Sequence, residues 1–111
     1  MIGRLLLGVA LATVPVAAVT AAPAQARACV KSGDIGYSAG VVYGSYEIYC
    51  NPPDVTSPLA VTIQRQSGTS WVTVAHGDAN TGFATYHCSP SSMHTYRLLQ
   101  APHRKVNAPC V

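Results

Sequence analysis

The sequence predicts an all-β fold, a small disulfide-linked β-sandwich behind an N-terminal leader, and three observations carry that prediction. Past the leader no stretch keeps a 3.6-residue apolar period, whereas several short runs alternate and are punctuated by Gly, Pro, Asn, Asp and Ser. The cysteines are four, Cys29, Cys50, Cys88 and Cys110, and all follow the leader. The remaining chain is rich in Tyr, Ser, Thr and Gly and poor in large aliphatics, so its core is modest and cross-links matter to it.

The leader is read from Arg4, the apolar run from Leu5 to about Ala22, and the small-x-small triplet Ala24-Gln25-Ala26. This is the pattern of a secretory signal, with cleavage expected after Ala26; Ala26-Arg27-Ala28 is a second candidate site. A retained membrane anchor is disfavoured by Pro15 and the Ala-rich tail. Residues 1–26 are thus expected to be removed, leaving residues 27–111 as one β-sandwich domain, secreted and with no membrane segment. The hydrophobic fraction of 49% is inflated by the leader.

The elements follow in order. A first strand is expected near Cys29 to Ile35, weakly patterned. From Val41 to Cys50 the alternation is clear: Val42, Gly44, Tyr46, Ile48 and Cys50 are expected to face inward and Tyr43, Ser45, Glu47 and Tyr49 outward. Asn51-Pro52-Pro53-Asp54 breaks the strand. Leu59 to Gln66 alternates again, with Leu59, Val61 and Ile63 inward. The turn Gln66-Ser67-Gly68-Thr69 folds it back on Ser70 to His76 as a hairpin. A loop from His76 to Gly82 leads to a strand over Phe83 to Cys88. The turn Ser89-Pro90-Ser91-Ser92 precedes a strand over His94 to Gln100, and residues around Lys105 to Val111 form a last short strand. Six or seven short strands at roughly ten-residue intervals fit a sandwich of immunoglobulin-like type.

The stretch from Val61 through Arg65-Gln66-Ser67-Gly68-Thr69-Ser70-Trp71 to Ala75, followed by Gly82 and Thr95-Tyr96-Arg97-Leu98, resembles immunoglobulin-like or fibronectin-type-III-like modules of secreted actinobacterial proteins. The resemblance covers about 40 residues. It implies a fold and an exposed setting rather than a reaction. It also implies that Trp71 packs over the core and that Tyr96 is an inward aromatic near one end of the sandwich, a tyrosine corner being one form of that role. Modules of this kind usually lack the cysteines present here.

Cys29 to Cys50 and Cys88 to Cys110 enclose loops of nearly equal length. Four cysteines allow three connectivities; the sequential one is favoured because each bridge then pins a weak terminal segment to a well-patterned strand. Each such loop stabilises by about 3 kcal/mol in the chain-entropy model. Zinc is disfavoured, since no pair has the short spacing of a metal knuckle.

Six cations in residues 27–111 against four acids leave a net charge near +2, which points to no nucleic-acid partner. His76, His87, His94 and His103 are the only bases for neutral-pH chemistry, and no nucleophile elbow accompanies them. His87 and His94 flank a short turn, and exposed histidines are the simpler reading than a metal pair. Asp78-Ala79-Asn80-Thr81-Gly82 lacks the downstream acid of a calcium loop and reads as an ordinary turn. No enzyme activity, metal or cofactor is therefore expected.

Tyrosine is abundant for so small a chain, and Tyr43 and Tyr49 share the outward face of one strand with Glu47. These three are the candidate binding residues, because tyrosine gives contact area at low entropy cost. The expected function is a secreted, non-catalytic protein that binds another macromolecule, a hydrolase inhibitor being one version. The alternative is a cell-wall or carbohydrate-binding module, and a small hydrolase using the histidines ranks last. Oligomeric state has no signature in the sequence.

Overall fold

The computed structural model describes residues 26–111. Residues 1–25, and with them nearly all of the expected leader, lie outside the described part. Every element among the described residues is a β-strand.

Strands β1 (Ala28–Ser38) and β2 (Val41–Asn51) form a long antiparallel hairpin. Its connection is Ala39-Gly40, at φ 49° and 80°, the two left-handed residues that a tight type I′ turn requires. β1 is longer than its sequence pattern indicated, because the ladder with β2 organises Gly33, Asp34 and Gly36, residues with little strand preference of their own. β3 (Val55–Pro58) pairs with the Glu47 to Cys50 end of β2, and β6 (Phe83–His87) with its Val41 to Ser45 end, which completes the first sheet.

The second sheet has the order β5 (Ser70–Gly77), β4 (Val61–Ser67), β7 (Pro90–Leu98), β8 (Lys105–Cys110). The expected hairpin is present: β4 and β5 join through Gly68-Thr69, with Gly68 at φ 64°. A bulge opposite Ile63/Gln64 inserts Val74 into β5, so that Val74 and Ala75 both turn toward the core.

Two departures from the expected elements have the same cause. The double proline makes the turn or edge loop expected of it, at residues 52–54, but β3 follows as an eighth strand that was not expected, and β7 begins at Pro90 inside the expected turn. Both segments are held by a partner on one side. Pro90 pairs only with Cys110 of β8, and Ser89 exchanges backbone bonds of 2.9 Å with Val111. A proline there costs no ladder bond on a second side.

The facing sides of the two sheets share one buried cluster. Val42 and Ala84 come from the first sheet; Val61, Ile63, Tyr96, Leu98, Ala108 and Cys110 from the second. The inward set expected for β2 is found: Val42, Gly44 and Cys50 are buried and Tyr46 and Ile48 half-buried. Leu98 fits because two glycines face it. A Cβ on Gly33 would come within 2.7 Å of its Cδ1, and one on Gly44 within 2.7 Å of its Cδ2.

Tyr96 is wholly buried, as expected, and its hydroxyl donates to the Cys110 carbonyl at 2.7 Å. That bond reaches fourteen residues downstream into β8, so Tyr96 ties together two strands of one sheet instead of forming a tyrosine corner. Burial, and after it the neighbouring Tyr86, hold its pKa above the ordinary tyrosine value.

The cysteines pair sequentially, Cys29 with Cys50 and Cys88 with Cys110. The first bridge joins directly opposed residues of β1 and β2. The second fastens the end of β6 in the first sheet to β8 in the second. Two disulfides indicate an oxidising environment. Among the described residues no helix is long and apolar enough to cross a membrane.

Candidate functional site

The outward side of the first sheet carries all three residues singled out from the sequence. Because cross-strand partners share a face, the β1–β2 register sets Tyr49 beside Val30, Glu47 beside Ser32, Ser45 beside Asp34 and Tyr43 beside Gly36. On the other flank β3 adds Pro58 next to Glu47, and β6 adds Phe83 next to Ser45. Tyr43, Glu47 and Tyr49 are all exposed.

This face is unusually apolar for one in contact with water. Val30 is 59% exposed, Phe83 49%, Tyr43 39% and Tyr49 36%. Tyr43 and Tyr49 are six residues apart on one strand, about 20 Å at the extended rise. Between their rows lies an open depression of about 340 Å³ lined by Ser32, Gly33, Asp34, Ser45, Glu47 and Arg104. Two carboxylates therefore lie in the rows between the two tyrosines, with Arg104 completing the lining from the β7–β8 connection.

Both tyrosines are positioned by neighbours. The Tyr43 ring lies over Gly36: a Cβ there would stand 2.5 Å from the tyrosine Oη. Tyr49 donates its hydroxyl to Asp54 Oδ1 at 2.8 Å, and that bond, more than its slight desolvation, raises the Tyr49 pKa. Of the other tyrosines, Tyr37, Tyr46 and Tyr86 are half-buried against the core and Tyr96 is inside it.

Val30, Asp34 and Phe83 were not singled out from the sequence, and Arg104 stands out there only as a basic neighbour of His103 and Lys105 that reads as a solvated loop. The strand pattern shows which residues of one strand share a face, but not which strands become neighbours. Arg104 reaches the depression from the β7–β8 connection, and nothing local to Arg104 signals that.

Trp71 departs from its expected place. It is absent from the core cluster and lies on the outer side of the second sheet, where the Arg97 guanidinium stacks 4.0 Å from its ring centroid. The two-residue turn explains this: it sets Trp71 directly opposite Gln66, on the side of Gln64 and Thr62, which alternation marks as outward although both are buried, at 9% and 7% exposure, where β4 lies between β5 and β7. The register of the hairpin, read from the turn, was the available signal.

The histidines and Asp78 are dispersed. His87 ends β6 in the first sheet and His94 lies in β7 of the second, its Nδ1 2.7 Å from the Ser92 carbonyl. His76 meets Thr62 Oγ1 at 3.1 Å. Asp78 Oδ1 accepts the backbone N–H groups of Asn80 at 2.9 Å and Thr81 at 3.3 Å, the ordinary turn that its sequence indicated. Among the described residues no three His, Cys, Asp or Glu side chains come together in a way that could hold a metal ion.

Compared with protein-family models, with curated proteins and with solved structures, the chain finds no match.

Proposed function

We propose that this chain is a secreted, non-catalytic binding protein, an immunoglobulin-like β-sandwich whose first sheet docks another protein through its outer face. The observation that carries the reading is the exposed apolar and aromatic set Val30, Tyr43, Tyr49 and Phe83 arranged on one hydrogen-bonded surface. Such a surface has little left to order on binding, since the ladder and the Cys29–Cys50 bridge already fix it, and preorganisation translates into affinity. Aromatic anchors around a few polar groups are the composition of protein-binding hot spots. Asp34 and Glu47 against the one Arg104 leave the depression net negative, which favours a partner that presents a basic side chain there.

The experiment is capture of extracellular proteins from the source organism on the immobilised protein, identification by mass, and re-binding of the purified candidate. A defined protein that binds again in pure form is the expected result. Retention of polysaccharide alone, with no protein partner, would overturn the reading.

A further inference from the structure

The opposite side of the molecule, the outer face of the second sheet, differs in chemistry from the first. β4, β5, β7 and β8 contain no aspartate or glutamate, while Arg97 and Lys105 stand directly across from each other on this face. Arg97 is held on two sides. Its guanidinium stacks on Trp71 at 4.0 Å, and its Nε donates to Gln64 Oε1 at 3.0 Å. That leaves the N–H donors of the two terminal nitrogens, in a fixed plane, for a ligand.

A planar fork already ordered by stacking matches a carboxylate, which it can bind through two parallel bonds, better than a flexible ammonium would. The surrounding rows carry amides and hydroxyls: the exposed Gln66 opposite Trp71, the exposed Thr73, and Thr95 opposite Asn107, while the buried Gln64 serves to hold Arg97. In these paired rows Trp71 is the single large apolar side chain; on the same side of β7 only Met93, 66% exposed, adds another, so polar groups outnumber apolar anchors around Arg97. Amides, hydroxyls and one aromatic suit the hydroxyl-rich rings of a sugar chain.

We infer that the Trp71–Arg97–Gln64 face binds an acidic polysaccharide, a chain of sugars bearing carboxylates, with Arg97 taking the carboxylate and Lys105 supplying the second positive charge. This site is independent of the protein-binding face and stands whether or not that face has a partner.

Trp71 is the single tryptophan of the chain, so its fluorescence reports on the site directly. Titration of the protein with polygalacturonate is expected to give a saturable change in that signal, weakened by added salt. Methyl-esterified polygalacturonate, which keeps the rings and loses the charge, is expected to give none. Arg97→Gln should weaken binding at least tenfold and Arg97→Lys should fall between, while Lys105→Gln, at an exposed position of β8, should weaken it several-fold. The inference is overturned by no response to polygalacturonate, by an unchanged affinity in both Arg97→Gln and Lys105→Gln, or by an equal response to the methyl ester. Equal or tighter binding of polyglutamate or polyphosphate would also overturn it, because the face would then select charge and not sugar.

Discussion

Leu98 is seated directly on Gly44: its Cδ2 fills the space in which a Cβ on that glycine would lie, at 2.7 Å, and Ile63 Cγ1 closes the site at 3.3 Å. The distance between the two sheets at this point is therefore set by one side chain on one sheet and by the lack of one on the other. Gly44→Ala would gain about 0.5–1 kcal/mol of strand propensity. Overpacking a closed core costs about 1–3 kcal/mol, and it outweighs that gain. A net loss of about 1–2 kcal/mol is expected in urea unfolding. Combined with Leu98→Ala the same change should be neutral or stabilising, a coupling of at least about 1 kcal/mol in a double-mutant cycle.

Tyr96→Phe removes the bond to the Cys110 carbonyl and leaves that acceptor buried without its donor. The expected loss is about 1–3 kcal/mol at neutral pH, read from the shift in urea midpoint at constant slope. A second consequence appears in alkali. Because the folded pKa of Tyr96 is raised, the native state holds its proton more tightly than the unfolded chain. The contribution is complete below the unfolded value of about 10 and is lost as pH rises through the folded one. Wild-type stability should thus fall more steeply above that value than the stability of Tyr96→Phe; equal slopes would contradict the assignment.

The two disulfides should differ in what they protect. Removing either one by a paired Cys→Ala change is expected to cost about 3 kcal/mol of global stability. Cys29 is exposed on the edge strand β1, and its bridge joins strands that are already paired along their whole length. Cys110 is 1% exposed, and its bridge spans the two sheets. Hydrogen exchange should show fraying confined to the start of β1 without Cys29–Cys50, but loss of protection throughout β8 without Cys88–Cys110. The reverse pattern would contradict this account of the two bridges.

The legible parts of this fold were those decided locally. Alternation in β2, the Gly68 turn and the cysteine spacing each act over a few residues or through chain order, and each is realised as read. The outward set Tyr43, Glu47 and Tyr49 follows from that same alternation. What the sequence did not disclose is set by pairing between distant segments. β3 and the start of β7 exist because a neighbour completes their bonds, despite Pro58 and Pro90. Phe83 and Val30 join the candidate face only because β6 and β1 flank β2. Trp71 is the instructive case: the resemblance to immunoglobulin-like modules implied a core residue, yet the turn placed it opposite Gln66, and Arg97 covers the ring that would otherwise be exposed.

Gly36 offers a test of the candidate face that needs no partner. Its missing side chain is the seat of the Tyr43 ring, so Gly36→Val should displace that ring into solvent. The neighbour is the flexible end of a tyrosine and not backbone, so the effect on stability is expected to stay within about 1 kcal/mol. Altered Tyr43 ring shifts with unchanged core resonances in NMR spectra would check it.

The central claim is that the outer face of the first sheet is the protein-binding surface, and calorimetry with the purified partner tests it most directly. Tyr43→Ser together with Tyr49→Ser, in a protein shown to keep its fold, should cost about 2 kcal/mol or more, roughly thirtyfold in affinity. Arg97→Gln on the opposite face should leave that affinity unchanged. Partner binding that survives the two tyrosine changes, or that is lost with Arg97 instead, would contradict the claim.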